Sequence, residues 1–160
     1  MRTLLSIVFV LSMALSAAAA DGMFVLVRHA EKVDDSRDPE LSEVGKRRAQ
    51  ALAALLTDMR IDTIYSSEFI RTRETARPLA ERLGVAVTPY DPNELEALAA
   101  VLKSTGGRTL VVGHSNSTPK LVAALSGEPG APIEDDEYDR LYIVYWSGGR
   151  ATTAVLRYQP

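Results

Sequence analysis

The chain contains two histidines, and each follows directly on a short apolar run: Phe24-Val25-Leu26-Val27-Arg28-His29 and Thr109-Leu110-Val111-Val112-Gly113-His114. Short runs rich in β-branched residues predict strands buried on both faces, as in a parallel sheet. In an open α/β sheet the carboxyl ends of the parallel strands share one rim, and ligands bind there. Two histidines distant in sequence are thereby placed on one rim. A lone histidine at a strand end ordinarily serves the structure. A pair, one of them beside an arginine, points to chemistry.

A second arginine joins them. Ser67-Glu68-Phe69-Ile70-Arg71-Thr72-Arg73-Glu74-Thr75-Ala76 follows a third short strand-like run, so Arg71 falls in the first turns of a helix that starts on the same rim. A helix dipole disfavours a cation at its N-terminus, and so does not account for Arg71. A planar guanidinium does suit a phosphate held through two oxygens. The competing account is a surface arginine paired with Glu68 or Glu74, as for Arg73 and Arg77.

Two arginines and two histidines without a second set of metal ligands suggest metal-free phosphoryl transfer. The arginines neutralise phosphoryl oxygens and the charge of the transition state. A neutral imidazole attacks phosphorus, forms a phosphohistidine, and water then releases phosphate. Zinc held by the two histidines is the alternative. It needs a third protein ligand, and the adjacent Arg28 repels the cation.

The elements that must position these groups follow from the pattern. Strands are predicted over 23–27, 62–65, 85–90 and 109–112. Ser42 caps a helix to about 59, with Val44, Ala49, Leu52, Leu55 and Leu56 on its apolar face. Ser67 starts a helix that Gly84 stops. A third helix covers roughly 93–103, and a fourth opens with Pro119 at its first position and ends near Gly127. The alternation implies an α/β fold: a mostly parallel sheet flanked by helices on both faces. Strand-like runs over 141–146 and 151–158, joined by Ser147-Gly148-Gly149-Arg150, predict an antiparallel hairpin at one edge of that sheet.

The first 20 residues have the layout of a secretory signal peptide: Arg2, an apolar run over 4–15, and an A-x-A site at Ala18-Ala19-Ala20. The run is shorter than the ~20 residues of a membrane span. An uncleaved anchor or a buried N-terminal helix is the other account. Cleavage implies a domain over 21–160, a periplasmic or secreted location, and no stable membrane insertion. No cysteine follows the run, which excludes an acylated lipoprotein. Of the 18 basic residues one is Arg2; the other 17 face 21 acidic residues, a net charge of −4. That balance argues against nucleic-acid partners. The acidic run Glu134-Asp135-Asp136-Glu137 lacks the spacing of a calcium loop and predicts a solvated loop.

At these motifs the sequence resembles the histidine phosphatase superfamily, which includes the cofactor-dependent phosphoglycerate mutases. The family's first motif is usually Arg-His-Gly. Arg28-His29-Ala30-Glu31 is a variant resembling short bacterial phosphohistidine phosphatases and small exported members. Segment 67–76 and Val112-Gly113-His114-Ser115 resemble its two later motifs. The resemblance implies His29 as nucleophile, with Arg28, Arg71 and His114 lining the phosphate pocket and His114 donating a hydrogen bond to the phosphoryl group. Asn116 and Ser117 add donors or simply cap a helix. Ala30 in place of glycine leaves that backbone less free to take positive φ. The family's general acid lies after the third strand, where Asp91 and Glu94 are the candidates; either also suits a helix cap. Members that cleave phosphohistidine manage without such an acid.

The expectation is an exported, cofactor-free and metal-independent phosphatase, acting on a small-molecule or envelope-linked phosphate monoester through a phosphohistidine on His29. A protein-phosphohistidine phosphatase is the alternative. A non-catalytic module that binds phosphorylated ligands is a third reading. Whether the loop over 128–139 closes on the pocket, and the oligomeric state, stay open at this level.

Overall fold

A computed structural model describes residues 20–160. The expected signal segment falls outside the described residues, Ala20 apart. Among the described residues no helix is long and apolar enough to cross a membrane.

Six strands form one sheet: β1 (Gly22–Arg28), β2 (Thr63–Ser66), β3 (Val87–Pro89), β4 (Gly107–Gly113), β5 (Arg140–Ser147) and β6 (Arg150–Arg157). Their order is β3-β2-β4-β1-β5-β6. The first four are parallel, while β5 runs antiparallel to β1 and β6 antiparallel to β5. The sheet is therefore mostly parallel with an antiparallel hairpin at one edge, as the sequence predicts. Gly148 and Gly149 make the hairpin turn with φ of 57° and 79°. A two-residue turn matching strand twist needs positive φ at both positions, which glycine adopts without strain.

Helices α1 (Glu43–Leu56), α2 (Ile70–Leu83), α3 (Leu95–Thr105) and α4 (Ser117–Ala124) cover both faces. The alternation along β1 shows why. Val25 and Val27 face a core shared with Leu52 and Leu56 of α1 and Leu79 of α2. Phe24 and Leu26 face the opposite core, with Leu98 and Leu102 of α3 and Leu121 of α4. A strand buried on both sides must be apolar throughout, which is why these runs stand out in the sequence. Ser42 caps α1 by accepting from the Gly45 N–H, and Gly84 closes α2 at φ 66°.

Three local expectations are corrected. Val44 and Leu55 are exposed; α1 instead buries Gly45, Arg48, Ala49, Leu52, Ala53 and Leu56. Arg48 is buried there because it finds partners far along the chain, which helical periodicity does not register. Helix α2 begins at Ile70 rather than Ser67, since the Ser67 side chain is committed elsewhere, as described below. Pro119 is the third residue of α4, not the first; the helix opens earlier because the Ser117 hydroxyl accepts from the His114 N–H at 3.0 Å.

Candidate active site

The register of the sheet brings the two histidines together. Arg28 at the end of β1 pairs with Gly113 at the end of β4, so His29 and His114 are the next residues along neighbouring strands. The His29 N–H continues the ladder to the Gly113 carbonyl at 2.9 Å. The imidazole rings lie 5.5 Å apart, edge to face. β2 ends at Ser66 on the same rim and delivers Arg71 on the first turn of α2. Arg28, His29, Arg71, His114 and Asn116 line one cleft of about 1210 Å³.

Both arginines are held by packing against aromatic rings. The Arg28 guanidinium sits 4.1 Å from the Tyr138 ring centroid and that of Arg71 4.4 Å from Phe69. Arg28 Nη1 also donates to the carbonyls of Glu134 and Glu137, at 2.8 and 3.0 Å. Segment 134–139 is thus docked over Arg28. It is tied down in turn by Arg140, which reaches the Glu137 carboxylate and the Ala131 carbonyl. Arg71 faces Asp38 at 3.7 Å rather than Glu68 or Glu74. Arg77 takes Glu74, and Arg73 donates to the Glu68 carbonyl. Ion pairing along α2 therefore does not account for Arg71.

His29 is 4 % exposed. Its Nδ1 lies 2.8 Å from the Ala30 carbonyl oxygen, which only accepts, so Nδ1 carries the proton and Nε2 keeps its lone pair. Ala30 itself is not among the residues at positive φ. Its N–H donates to Thr75 Oγ1 at 2.9 Å, so the position does not need glycine's freedom. Glu31 turns away from the cleft and binds Arg48 of α1.

The acid candidates are placed differently. Asp91 lines the cleft, with Oδ1 accepting both from the Asn93 backbone N–H and from its side-chain amide, each at 2.9 Å. Glu94 precedes α3 with no side-chain cap bond and is not among the cleft residues. Asn116 precedes α4 likewise without a capping bond, its side chain left to the cleft. Sequence reasoning gave no role to Tyr138, Phe69 or Asp38 and read Glu68 only as a possible partner of Arg71, yet all four stand at or beside the site. Phe69 and Glu68 lie inside a motif already singled out, whereas nothing local in sequence ties Tyr138 to Arg28. Among the described residues no group of three or more His, Cys, Asp or Glu is placed to hold a metal ion.

Burial, reinforced by Arg28, His114 and Arg71, pushes the His29 imidazole down to about 3; burial and the same arginines push His114 down to about 4. Both rings are neutral at pH 7, the form a nucleophile needs. The same shifts fix a sign for stability. Below the ordinary value of 6.5 the unfolded chain takes up protons that the folded protein refuses, so stability falls from pH 6.5 downward until the folded rings protonate. His29 alone should cost about 2 kcal/mol at pH 5, with His114 adding in the same direction. Urea midpoints measured from pH 7 to 5 should decline, and less steeply in His29→Asn. A flat wild-type profile would count against these shifts.

Residues 24–96 match the family model described as Histidine phosphatase superfamily (branch 1). The chain is 40% identical over 74 residues to Phosphoserine phosphatase 1 of Hydrogenobacter thermophilus, a match covering 42% of this chain and 35% of that protein. The chain thus spans about a third of that curated relative. Among solved structures, the protein histidine phosphatase SixA complexed with tungstate superposes with a TM-score of 0.68 at 19% identity, covering 84% of this chain and 96% of that one. Phosphoglycerate mutase from Bacillus anthracis gives 0.71 at 15% identity, over 88% and 94%. The fold is the phosphoglycerate mutase-like one. The resemblance carried by the arginine–histidine motifs is borne out: residues 24–96 match that superfamily's model, and the described residues share the fold of these structures.

Proposed function

We propose that this protein is a metal-independent phosphatase that hydrolyses a phosphate monoester through a phosphohistidine on His29. The observation that carries the reading is the Nδ1 contact to the Ala30 carbonyl, which leaves the Nε2 lone pair free in a cleft flanked by two guanidinium groups. Nε2 attacks phosphorus, the ester P–O bond breaks, and its electron pair leaves on the alcohol oxygen, which takes a proton. Water then attacks the phosphohistidine, the P–N bond breaks, and inorganic phosphate and neutral imidazole are regenerated. Arg28 and Arg71 hold the non-bridging oxygens. Asp91, which lines the same cleft, protonates the leaving oxygen in this reading. The Hydrogenobacter relative's name and the tungstate complex of SixA support the reading, since tungstate is a tetrahedral oxyanion like phosphate.

Protein purified as the full chain should turn over para-nitrophenyl phosphate equally with and without EDTA. Abolition by EDTA would refute metal independence. Asp91→Asn should slow poor leaving groups far more than good ones, and Glu94→Gln should slow neither selectively.

The second reading, a protein-phosphohistidine phosphatase, draws on the double engagement of Asp91 Oδ1 by Asn93. An imidazole leaving group needs no strong acid. Turnover of phosphoramidates but not of alkyl phosphates would favour it. A non-catalytic module is separated from both by ester binding without any turnover.

Location outside the cytoplasm is part of the proposal, supported by Arg2, the apolar run over 4–15 and Ala18-Ala19-Ala20. It makes a small or envelope-linked phosphate ester the fitting substrate. Protein recovered from the envelope or medium should begin at Asp21; an intact N-terminus confined to the cytoplasm would overturn this.

A further inference from the structure

His114 is held by a chain of hydroxyls that ends on the main chain. Its Nε2 lies 2.9 Å from Ser67 Oγ, and Ser67 Oγ lies 3.0 Å from Thr72 Oγ1. Thr72 Oγ1 in turn lies 2.8 Å from the carbonyl oxygens of Ser67 and Phe69. Ser67 and Thr72 are both fully buried, so no water completes these bonds in their place. A carbonyl oxygen only accepts, so the single Thr72 proton points at the main chain. Thr72 Oγ1 then accepts from the Ser67 hydroxyl, and Ser67 Oγ accepts from His114 Nε2–H.

The other face of the ring agrees, through a longer contact. His114 Nδ1 lies 3.5 Å from Arg71 Nη2, and a guanidinium only donates. The neutral ring therefore carries its proton on Nε2 and turns a lone pair toward Arg71 at the cleft. In that form it offers no N–H to a phosphoryl oxygen.

We propose that Ser67 and Thr72 are positioning residues that set which nitrogen of His114 carries the proton, so that an anion entering the cleft draws one further proton onto His114 Nδ1. The proposal rests on the cleft being a phosphate pocket. The anion supplies the acceptor for the new Nδ1–H bond, and solvent supplies the proton. The groups facing His114 are Arg71 from α2, Arg28 from β1, His29, and Asp38 from the loop before α1. Without a ligand, burial and the two arginines keep the ring neutral above about pH 4, with Asp38 opposing. A dianion seated between the arginines offsets their charge and favours the imidazolium. Binding then takes up close to one proton, and affinity falls as pH rises through the window between the free and bound values.

Because the chain has two histidines, ¹⁵N spectra of histidine-labelled full-length protein resolve each ring. Sulfate serves as the probe, since it stays a dianion throughout. Free His114 should show the Nε2–H form at pH 7 and the doubly protonated form with sulfate bound. Calorimetry in buffers of differing ionisation enthalpy should count close to one proton taken up. Thr72→Val frees the Ser67 hydroxyl to donate to Nε2, and should convert His114 to the Nδ1–H form and bring proton uptake toward zero. Ser67→Thr, which keeps the hydroxyl, should retain the wild-type pattern. An Nδ1–H ring in the wild-type protein, or uptake unchanged in Thr72→Val, overturns the proposal. Failure of sulfate to bind would instead strike the phosphate-pocket reading; the tautomer of the free protein is read without any ligand.

Discussion

Replacing His29 with alanine should lower turnover of para-nitrophenyl phosphate by on the order of 10⁴-fold or more, with the fold retained. The size follows from what the ring alone supplies. The proposed first step needs a neutral nitrogen with its lone pair directed at phosphorus. Burial keeps the ring neutral and the Ala30 carbonyl selects Nε2 as the free nitrogen. His114 is spatially adjacent but cannot substitute: its Nε2 is bonded to Ser67 and its Nδ1 is turned to Arg71. The variant keeps the cleft's arginines and should still bind sulfate. Rapid quenching with radiolabelled substrate should trap an acid-labile adduct in the wild type and none in His29→Ala. An adduct that survives the substitution would remove His29 as nucleophile.

The largest effect on stability is expected away from the chemistry, at Glu31. Its carboxylate takes Arg48 Nε at 2.9 Å and Nη2 at 2.7 Å, and Arg48 Nη1 continues to the Tyr158 carbonyl at 2.9 Å. One arginine thus joins the loop after His29, helix α1 and the segment after β6. Glu31→Ala leaves the Arg48 guanidinium buried without its counter-charge, which should cost about 3–5 kcal/mol. The double change Glu31→Gln with Arg48→Met removes both charges and should cost less than either single charge removal. Urea unfolding of Glu31→Ala, the double variant and its two single components measures this, and a loss below about 1 kcal/mol for Glu31→Ala would show that the pair does not hold the loop. Gly45 belongs to the same arrangement: a Cβ there would stand 2.1 Å from the Glu31 carbonyl oxygen, so α1 is seated directly against this loop. The glutamate in Arg28-His29-Ala30-Glu31 is therefore an anchor for the loop that follows His29.

What could be read before any coordinates depended on how local the cause was. β1 and β4 were legible because burial on both faces demands continuous apolar runs. The hairpin was legible because two adjacent glycines suit a turn of positive φ, and Gly84 because a helix stop has a local conformational cause. The convergence of Arg28, His29, Arg71 and His114 followed from one topological rule about strand ends. The errors lie where distant partners override local preference. Arg48 is buried on α1 because Glu31 and Tyr158 await it, while the apolar Val44 and Leu55 point outward. Ser67 was read as opening α2; its hydroxyl serves His114 instead, and the helix starts at Ile70. The loop over 134–137 is solvated at Glu134, Asp135 and Asp136, as expected, but its carbonyls at Glu134 and Glu137 also hold Arg28, 106 and 109 positions earlier in the chain. No periodicity or motif reports a contact of that range.

The docking of that segment has a consequence in time. Arg28, His29, Arg71, Asp91 and His114, the residues of the proposed chemistry, all precede residue 115, but the carbonyls that hold Arg28 and the strand that covers the outer side of β1 come only with residues 134–147. A nascent chain that has emerged only to residue 130 therefore carries every reacting group while β1 has one neighbour and Arg28 lacks both acceptors. Contacts this distant in sequence form late. Chains stalled at that length on the ribosome should not retain sulfate, and those extended past residue 147 should. The competence to hold an anion is thus expected to arrive with residues outside the reacting set.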